Sequence, residues 1–398
     1  MSTRSLPLPR THTVYTIAVI GFIFILHAVI PMYSNSSFLA LFADERTIGF
    51  IYMAGAAFAI LGFLVAPDII RRVGNYKTAM FLVLLQIIIF YGLISATSPE
   101  LLAILFILQS GIVSLIGLTL DIFLEVYTST ASVGSVRGLY TATLNASWVV
   151  APLIGTMLIR ALPTNPVTYD YSGTYVAALA MLFPLLYLIY RNFSRFKDPN
   201  YVHLSPWQLI KHISSNKNWV KLFFANVVLQ TFYSWMVVYS QPYLYHRIGF
   251  NWQEIGIILV IMLIPFPIIQ YPLGRLADKK YGEKEIMAIG FAIMGISTIF
   301  LSLVTIKDLA VWAILFLITR IGAATAEIMI ETYFFKTVSP RDSAVLGSFR
   351  ITRPVSYFLA PIIMIIGLIF IQDRYMFIVI GLISLAALYP ALTIRDTS

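Results

Sequence analysis

Apolar residues run along this chain in long unbroken stretches separated by short polar breaks. The stretches fall at about 14–35, 47–68, 77–96, 101–126, 136–160 and 173–191, then at 219–244, 254–274, 285–305, 309–333, 345–370 and 375–393. Each has roughly the 20 residues that a helix needs to cross the ~30 Å hydrocarbon core of a bilayer. A membrane β-barrel would instead show alternating segments of about 10 residues, which continuous runs such as Ile286–Val304 exclude. The pattern predicts an all-α polytopic membrane protein with twelve transmembrane helices. Its longest polar break on one side, 192–218, contains Ser205-Pro206 followed by Trp207, Leu209, Ile210 and Ile213. That order predicts a short amphipathic helix with Ser205 as N-cap and Pro206 in the first turn. It links an N-terminal bundle, 1–191, to a C-terminal bundle, 219–398. On the opposite side, Ala161–Ser172 reads as a plain connector.

Composition sharpens this picture. Of the 398 residues, 59% are hydrophobic and 11% charged, with mean hydropathy +0.85. Soluble domains carry about a quarter charged residues, so this chain cannot cover a water-facing surface. The net charge of +9 does not indicate nucleic acid, because the basic residues are spread over short loops. Twenty of the 27 Lys and Arg fall on one side, that of the N-terminus, the even-to-odd loops and the C-terminus, against five on the other. By the positive-inside rule both termini are expected in the cytoplasm. The last two, Arg320 and Arg353, fall inside spans. With no cysteine there is no disulfide framework and no Cys-based metal or redox site.

The two halves repeat each other. Asp121-Ile-Phe-Leu-Glu125-Val-Tyr127 matches Glu327-Ile-Met-Ile-Glu331-Thr-Tyr333, and Ser147-Trp148-Val-Val-Ala-Pro152 matches Ser356-Tyr357-Phe-Leu-Ala-Pro361. Tyr33-Ser34 matches Tyr239-Ser240, and Ala66–Gly74 matches Gly274–Gly282. The offset stays near 206–209 throughout, so spans 1–6 and 7–12 are expected as parallel repeats.

The stretch Gly274-Arg275-Leu-Ala-Asp278-Lys-Lys-Tyr-Gly282 resembles the loop signature of the major facilitator superfamily of transporters. With twelve spans in two halves, the resemblance extends over nearly the whole chain, without indicating a subfamily. The second-half copy is the intact one here. In the first half Ile70 stands at the position of Asp278 and Ala66 at that of Gly274, while Arg71, Arg72 and a displaced Asp68 keep some of the charge. The resemblance implies that Asp278 faces the start of span 5, near Arg137 and the free N–H groups of that helix, as a cytoplasmic latch. It also implies that spans 1, 4, 7 and 10 line a central cavity, with 2, 5, 8 and 11 beside them.

The remaining candidates come from charge placed in apolar surroundings. Asp121/Glu125 and Glu327/Glu331 each lie one helical turn apart on one face, in the cytoplasmic third of their spans. Arg350 and Arg353 are at the depth to pair with Glu327 and Glu331, and Arg137 with Glu125, which leaves Asp121 without an evident partner. A gate network is the main reading, and proton carriage by Asp121, Glu327 or His27 the sharper one. Arg320 lies near mid-membrane, where a charge costs at least ~2.5–3.5 kcal/mol and marks a functional interior. It shares a stripe with Ala324, Glu327 and Glu331, and is expected either to bind an anionic group of a solute or to hold its own helix in place. His27, Asn145, Trp148, Asn226, Gln230, Tyr233, Gln270 and Tyr357 complete the candidate solute-binding set. Gln86, on a span expected to face lipid, does not fit that scheme.

No phosphate loop, His-Glu-x-x-His helix or Gly-x-Ser-x-Gly elbow occurs, so no enzyme and no cofactor is expected. A remote alternative is an intramembrane enzyme using Asp121 and Glu125. The expected protein is a monomeric secondary transporter of a small, anionic or zwitterionic organic solute, in the inner membrane. H+ or another ion is the candidate co-substrate, and proton-coupled drug efflux is the alternative.

Overall fold

The computed structural model describes residues 11–32, 34–129, 132–162, 168–202, 205–279, 282–395 and 397. Several features read from the sequence lie outside them: Arg4 and Arg10, Tyr33 of the repeat, Pro163, Asn165 and Pro166 of the outer loop, and Lys280 and Tyr281 of the signature.

All twelve predicted stretches are occupied by helix. In the first half these are α1 (Thr11–Val29), a short α2 (Asn35–Leu39), α3 (Glu45–Val73), α4 (Asn75–Ser95), α5 (Pro99–Val126), α6 (Val133–Leu158) and α7 (Ser172–Phe193). The second half follows α8 (Pro206–Ser215) with α9 (Lys217–Val238), a short α10 (Ser240–Tyr243), α11 (Trp252–Leu263), α12 (Pro265–Lys279) and α13 (Glu283–Leu301). It ends with α14 (Leu309–Thr337), α15 (Ser343–Phe370), α16 (Met376–Ala386) and α17 (Leu388–Thr393). Among the described residues, nine helices or joined helix pairs are long and apolar enough to cross a membrane, and Thr13–Val29 is a shorter apolar one. The protein is an integral membrane protein.

Local chemistry sets several boundaries. Asp44, Ser98 and Asp308 accept from backbone N–H groups at the starts of α3, α5 and α14, partners that exposed first turns otherwise lack. α8 begins at a full capping box, in which Ser205 and Gln208 each bond the other's backbone N–H. Three expectations need correction. The connector 161–172 contains a short antiparallel hairpin, β1 (Arg160–Leu162) with β2 (Thr168–Asp170). Span 8 is not one rod: Pro265 and Pro267 follow α11, and the missing donors break the ladder near Ile264. Finally, Asp68, Arg71 and Arg72 lie in the last turns of α3, and Arg275 and Asp278 in those of α12, rather than in loops. Cations at Arg71 and Arg72 suit the negative end of that helix.

The chain clusters into two compact units. The first comprises Met1–Thr128, Ala146–Leu204 and Ser339–Ile351; the second comprises Ser129–Asn145, Ser205–Val338 and Thr352–Ser398. In the first unit α5 packs on α3 and α4, and α7 on α1 and α4. In the second, α14 packs on α11, α12 and α13, and α13 on α16. Small residues permit the tightest of these crossings: a Cβ at Gly290 would lie 2.7 Å from the Ala326 nitrogen, the close approach typical of membrane helices without a hydrophobic drive between them.

Candidate functional site

The second unit assembles most of the predicted polar residues. Arg320, in the middle stretch of α14, is 3% exposed and stands over two ring faces of α9, 5.3 Å from the Phe232 centroid and 5.6 Å from that of Tyr233. Such contacts stabilise a desolvated guanidinium by about 2 kcal/mol or more. The Tyr233 hydroxyl reaches the Ala323 carbonyl at 3.5 Å and lies within electrostatic range of Glu327, Arg320, Tyr357 and Arg353. Arg353 stacks over Tyr357 one turn along α15. Asn226 on α9 donates to Thr352 at 2.8 Å, and Gln230 donates to Asn226 at 3.4 Å.

A second chain of side-chain bonds adjoins this cluster. Gln270, fully buried on α12, donates from Nε2 to Glu327 Oε2 at 2.6 Å and accepts at Oε1 from Asn145 Nδ2 at 2.9 Å. Three residues nominated separately thus form one connected path across α6, α12 and α14.

At the other end of α12, the Asp278 carboxylate accepts from the backbone N–H of Gly134 at 2.9 Å and of Ser135 at 2.7 Å. These are two of the unsatisfied donors at the start of α6, and the contact is charge-assisted. Arg137, buried one turn later, places its guanidinium 3.1 Å from the Phe335 ring centroid. Lys336, which the sequence reading counted only as a loop charge, lies 3.5 Å from Asp278 and 2.6 Å from the buried Glu283. Gly134 and Gly138 were also missed, whereas Gly274 stood in the signature. A Cβ on Gly134 or Gly274 would run into the other's carbonyl oxygen, and one on Gly138 would lie 2.6 Å from Gln270 O. The Gly134-x-x-x-Gly138 spacing was the available signal. Gly282 serves as the N-cap of α13, and Arg275 stacks near Tyr271.

The first unit places its candidates differently. Asp121, expected without a partner, is held by Arg350 through two bonds, Nε to Oδ2 at 2.6 Å and NH2 to Oδ1 at 3.1 Å. This corrects the expectation: residues 339–351 belong to this unit, so the start of α15 brings its arginine to α5. Glu125 and Glu331, like Asp121, are buried. His27 is 0% exposed between α1, α4 and α7, donating from Nδ1 to Ala178 O at 2.9 Å and accepting at Nε2 from Gln86 at 3.2 Å. Gln86 therefore faces His27 and not lipid. Trp148 packs against the cluster of Leu26, Val29, Ile30 and Ala151. Arg71 makes an exposed 3.4 Å pair with Asp68, and Arg72 is exposed.

The linker supplies one further carboxylate. Asp198 accepts from the backbone N–H of Asn75 and from the Tyr201 hydroxyl, both at 2.7 Å, at the Gly74 corner between α3 and α4. Gly74 has φ 94°, and a Cβ there would meet Asp198 Oδ2 at 2.7 Å. Burial, and then this hydrogen bond, push the Tyr201 hydroxyl far above its usual range, so it remains a donor.

A sequence profile of the Major Facilitator Superfamily matches residues 12–252 and again 240–397. The chain belongs to this superfamily. Superfamily members also supply its structural neighbours. The human organic anion transporter MFSD10 (TETRAN) superposes with TM-score 0.78 at 12% identity, covering 95% of this chain and 98% of its own. FucP in the outward conformation superposes with TM-score 0.81 at 11% identity, covering 96% and 99%. A single-site variant of the E. coli fucose:proton symporter FucP gives 0.80 at 12%, covering 97% and 99%. At these identities the likeness carries the fold. No curated protein matches the sequence. The superfamily fold makes this a secondary-transporter scaffold, with the polar set of the second unit as its candidate solute site.

Proposed function

We propose that the protein is a secondary active transporter that moves a small organic anion or zwitterion across the cytoplasmic membrane by alternating access. The carrying observation is Arg320: a buried guanidinium in the middle stretch of α14, standing over the aromatic faces of Phe232 and Tyr233 on α9. A guanidinium recognises carboxylates and phosphates by its planar fork of donors. The halves 1–191 and 219–398 would alternate about this site, with both termini and α8 on the cytoplasmic side.

H+ is the proposed coupling ion and Glu327 the group that carries it. Glu327 adjoins the Arg320 site and its carboxylate is bonded by a neutral amide. Asp121 is already engaged by Arg350 through two bonds, and both His27 nitrogens serve helix contacts. The test is a thermal-shift screen of organic anions and zwitterions on wild type, Arg320→Ala and Arg320→Lys. Hits should stabilise the wild type and lose at least about tenfold in apparent affinity in Arg320→Ala, the loss of a charge-assisted contact. Equal stabilisation of all three proteins overturns the anion site. Uptake into vesicles under an imposed pH gradient tests the coupling.

A further inference from the structure

We infer that Gln270 is a positioning residue that reads the protonation state of Glu327 and transmits it to the first part of α6. The inference rests on reading Glu327 as the proton-carrying group.

The argument starts from the donor and acceptor count of one amide. A Gln side chain offers two donors at Nε2 and an acceptor at Oε1. Here Nε2 faces Glu327 Oε2 and Oε1 faces Asn145 Nδ2. An ionised Glu327 can only accept, so it fixes Gln270 with its NH2 toward α14 and its carbonyl toward α6. Only in that orientation does Gln270 receive the Asn145 donor. Protonation gives Glu327 a donor and removes the charge that strengthened the existing bond. The acid proton then competes for the Gln270 carbonyl. Turning that carbonyl to Glu327 sets the Gln270 NH2 against the Asn145 NH2, two donors face to face, so the present bond to α6 breaks and Asn145 must move or turn its own amide. Gln270 is fully buried, so water does not readily replace the lost partner.

Gln270 links Glu327 to α6 through Asn145. Tyr233 faces Glu327 from α9, Arg320 lies on the same helix, and Arg353 and Tyr357 of α15 share Tyr233's electrostatic surroundings. α13 meets this part of α14 through Gly290 and Met294 at Gly322 and Ala326, without charge. On the α6 side, Asn145 stands eleven residues from the Gly134 that bonds Asp278, and Gly138 lies between them against the Gln270 backbone. One face of α6 thus carries the Asp278 contact to backbone N–H groups at its start and the Gln270 contact at Asn145.

The chain has no cysteine, so a single reporter suffices. Ala142, buried one turn before Asn145, is changed to cysteine, and its maleimide labelling rate is followed from about pH 5 to about pH 8, the range a shifted carboxyl group covers, without solute or gradient. Rates are divided by those of Ser214→Cys, an exposed control on α8, to remove the thiol's own titration. The wild-type background should show a single titration, with the normalised rate at least about fivefold higher at low pH, as loss of one buried hydrogen bond implies. Gln270→Leu should flatten that titration, as should Glu327→Gln. Asn145→Leu cuts the same path from the α6 side and should also flatten it, which covers a Gln270 variant that does not fold. A full titration in Gln270→Leu or Asn145→Leu overturns the relay, and so does its absence in the wild-type background. Wild-type vesicles that show no pH-driven uptake while labelling titrates as expected overturn the coupling proposal alone.

Discussion

At the scale of single residues, the strongest contacts are those in which a carboxylate meets a donor fixed by its helix. Asp278 takes two N–H groups that α6 cannot satisfy internally, and hydrogen bonds to a charged group are worth about 1.5–3 kcal/mol each. Asp278→Asn keeps the shape, removes the charge and replaces one acceptor oxygen with a donor. A loss of about 2 kcal/mol follows from the same range, seen as a roughly tenfold or greater rise in labelling of Ala142→Cys at constant pH. An unchanged rate would remove Asp278 from any latch role. The Asp121–Arg350 pair shows what the order of residues alone could not. Asp121 stood out as an acid in an apolar span, but its cation is 229 positions away. His27 was legible as a buried polar group, yet only Gln86 and the Ala178 carbonyl reveal that it ties α1 to α4 and α7.

At the scale of elements, α6 is the informative helix. Its start presents Gly134 and Gly138 to α12, and both sites are too close to another backbone to admit a side chain. Gly138→Val would force β-branched bulk against Gln270 O, a misfit costing about 1–3 kcal/mol. The thermal midpoint should fall and labelling at Ala142→Cys should rise at every pH, without a change in its titration. A titration lost along with stability would show that the helix crossing, not the Gln270 amide, carries the pH response. The break between α11 and α12 was within reach of sequence reasoning, since Pro265 and Pro267 announce it; the helical register of the signature residues was not, and emerges only from α12 continuing to Lys279.

At the scale of the molecule, apolar length and charge bias make a concrete prediction of orientation. Thr97→Cys, in the exposed turn between α4 and α5, should react with a membrane-impermeant maleimide on intact cells. Ser214→Cys on α8 should react only after permeabilisation. The reverse pattern would invert the topology argued from the basic residues. The partition into units was not legible in the repeat: residues 129–145 cluster with most of the second half, and 339–351 with most of the first.

Class, helix positions and superfamily were determined by the chain alone, because a run of about 20 apolar residues has few alternatives to a membrane helix. The repeat and the Gly274–Gly282 signature added the architecture, since they need only spacing. What tertiary structure alone decided is which acid meets which donor. Asp121 with Arg350, Glu327 with Gln270 and Lys336 with Glu283 are separated by between 53 and 229 positions. A buried polar group must find a partner, but its partner is chosen by how helices from distant parts of the chain pack, and no local pattern encodes that choice.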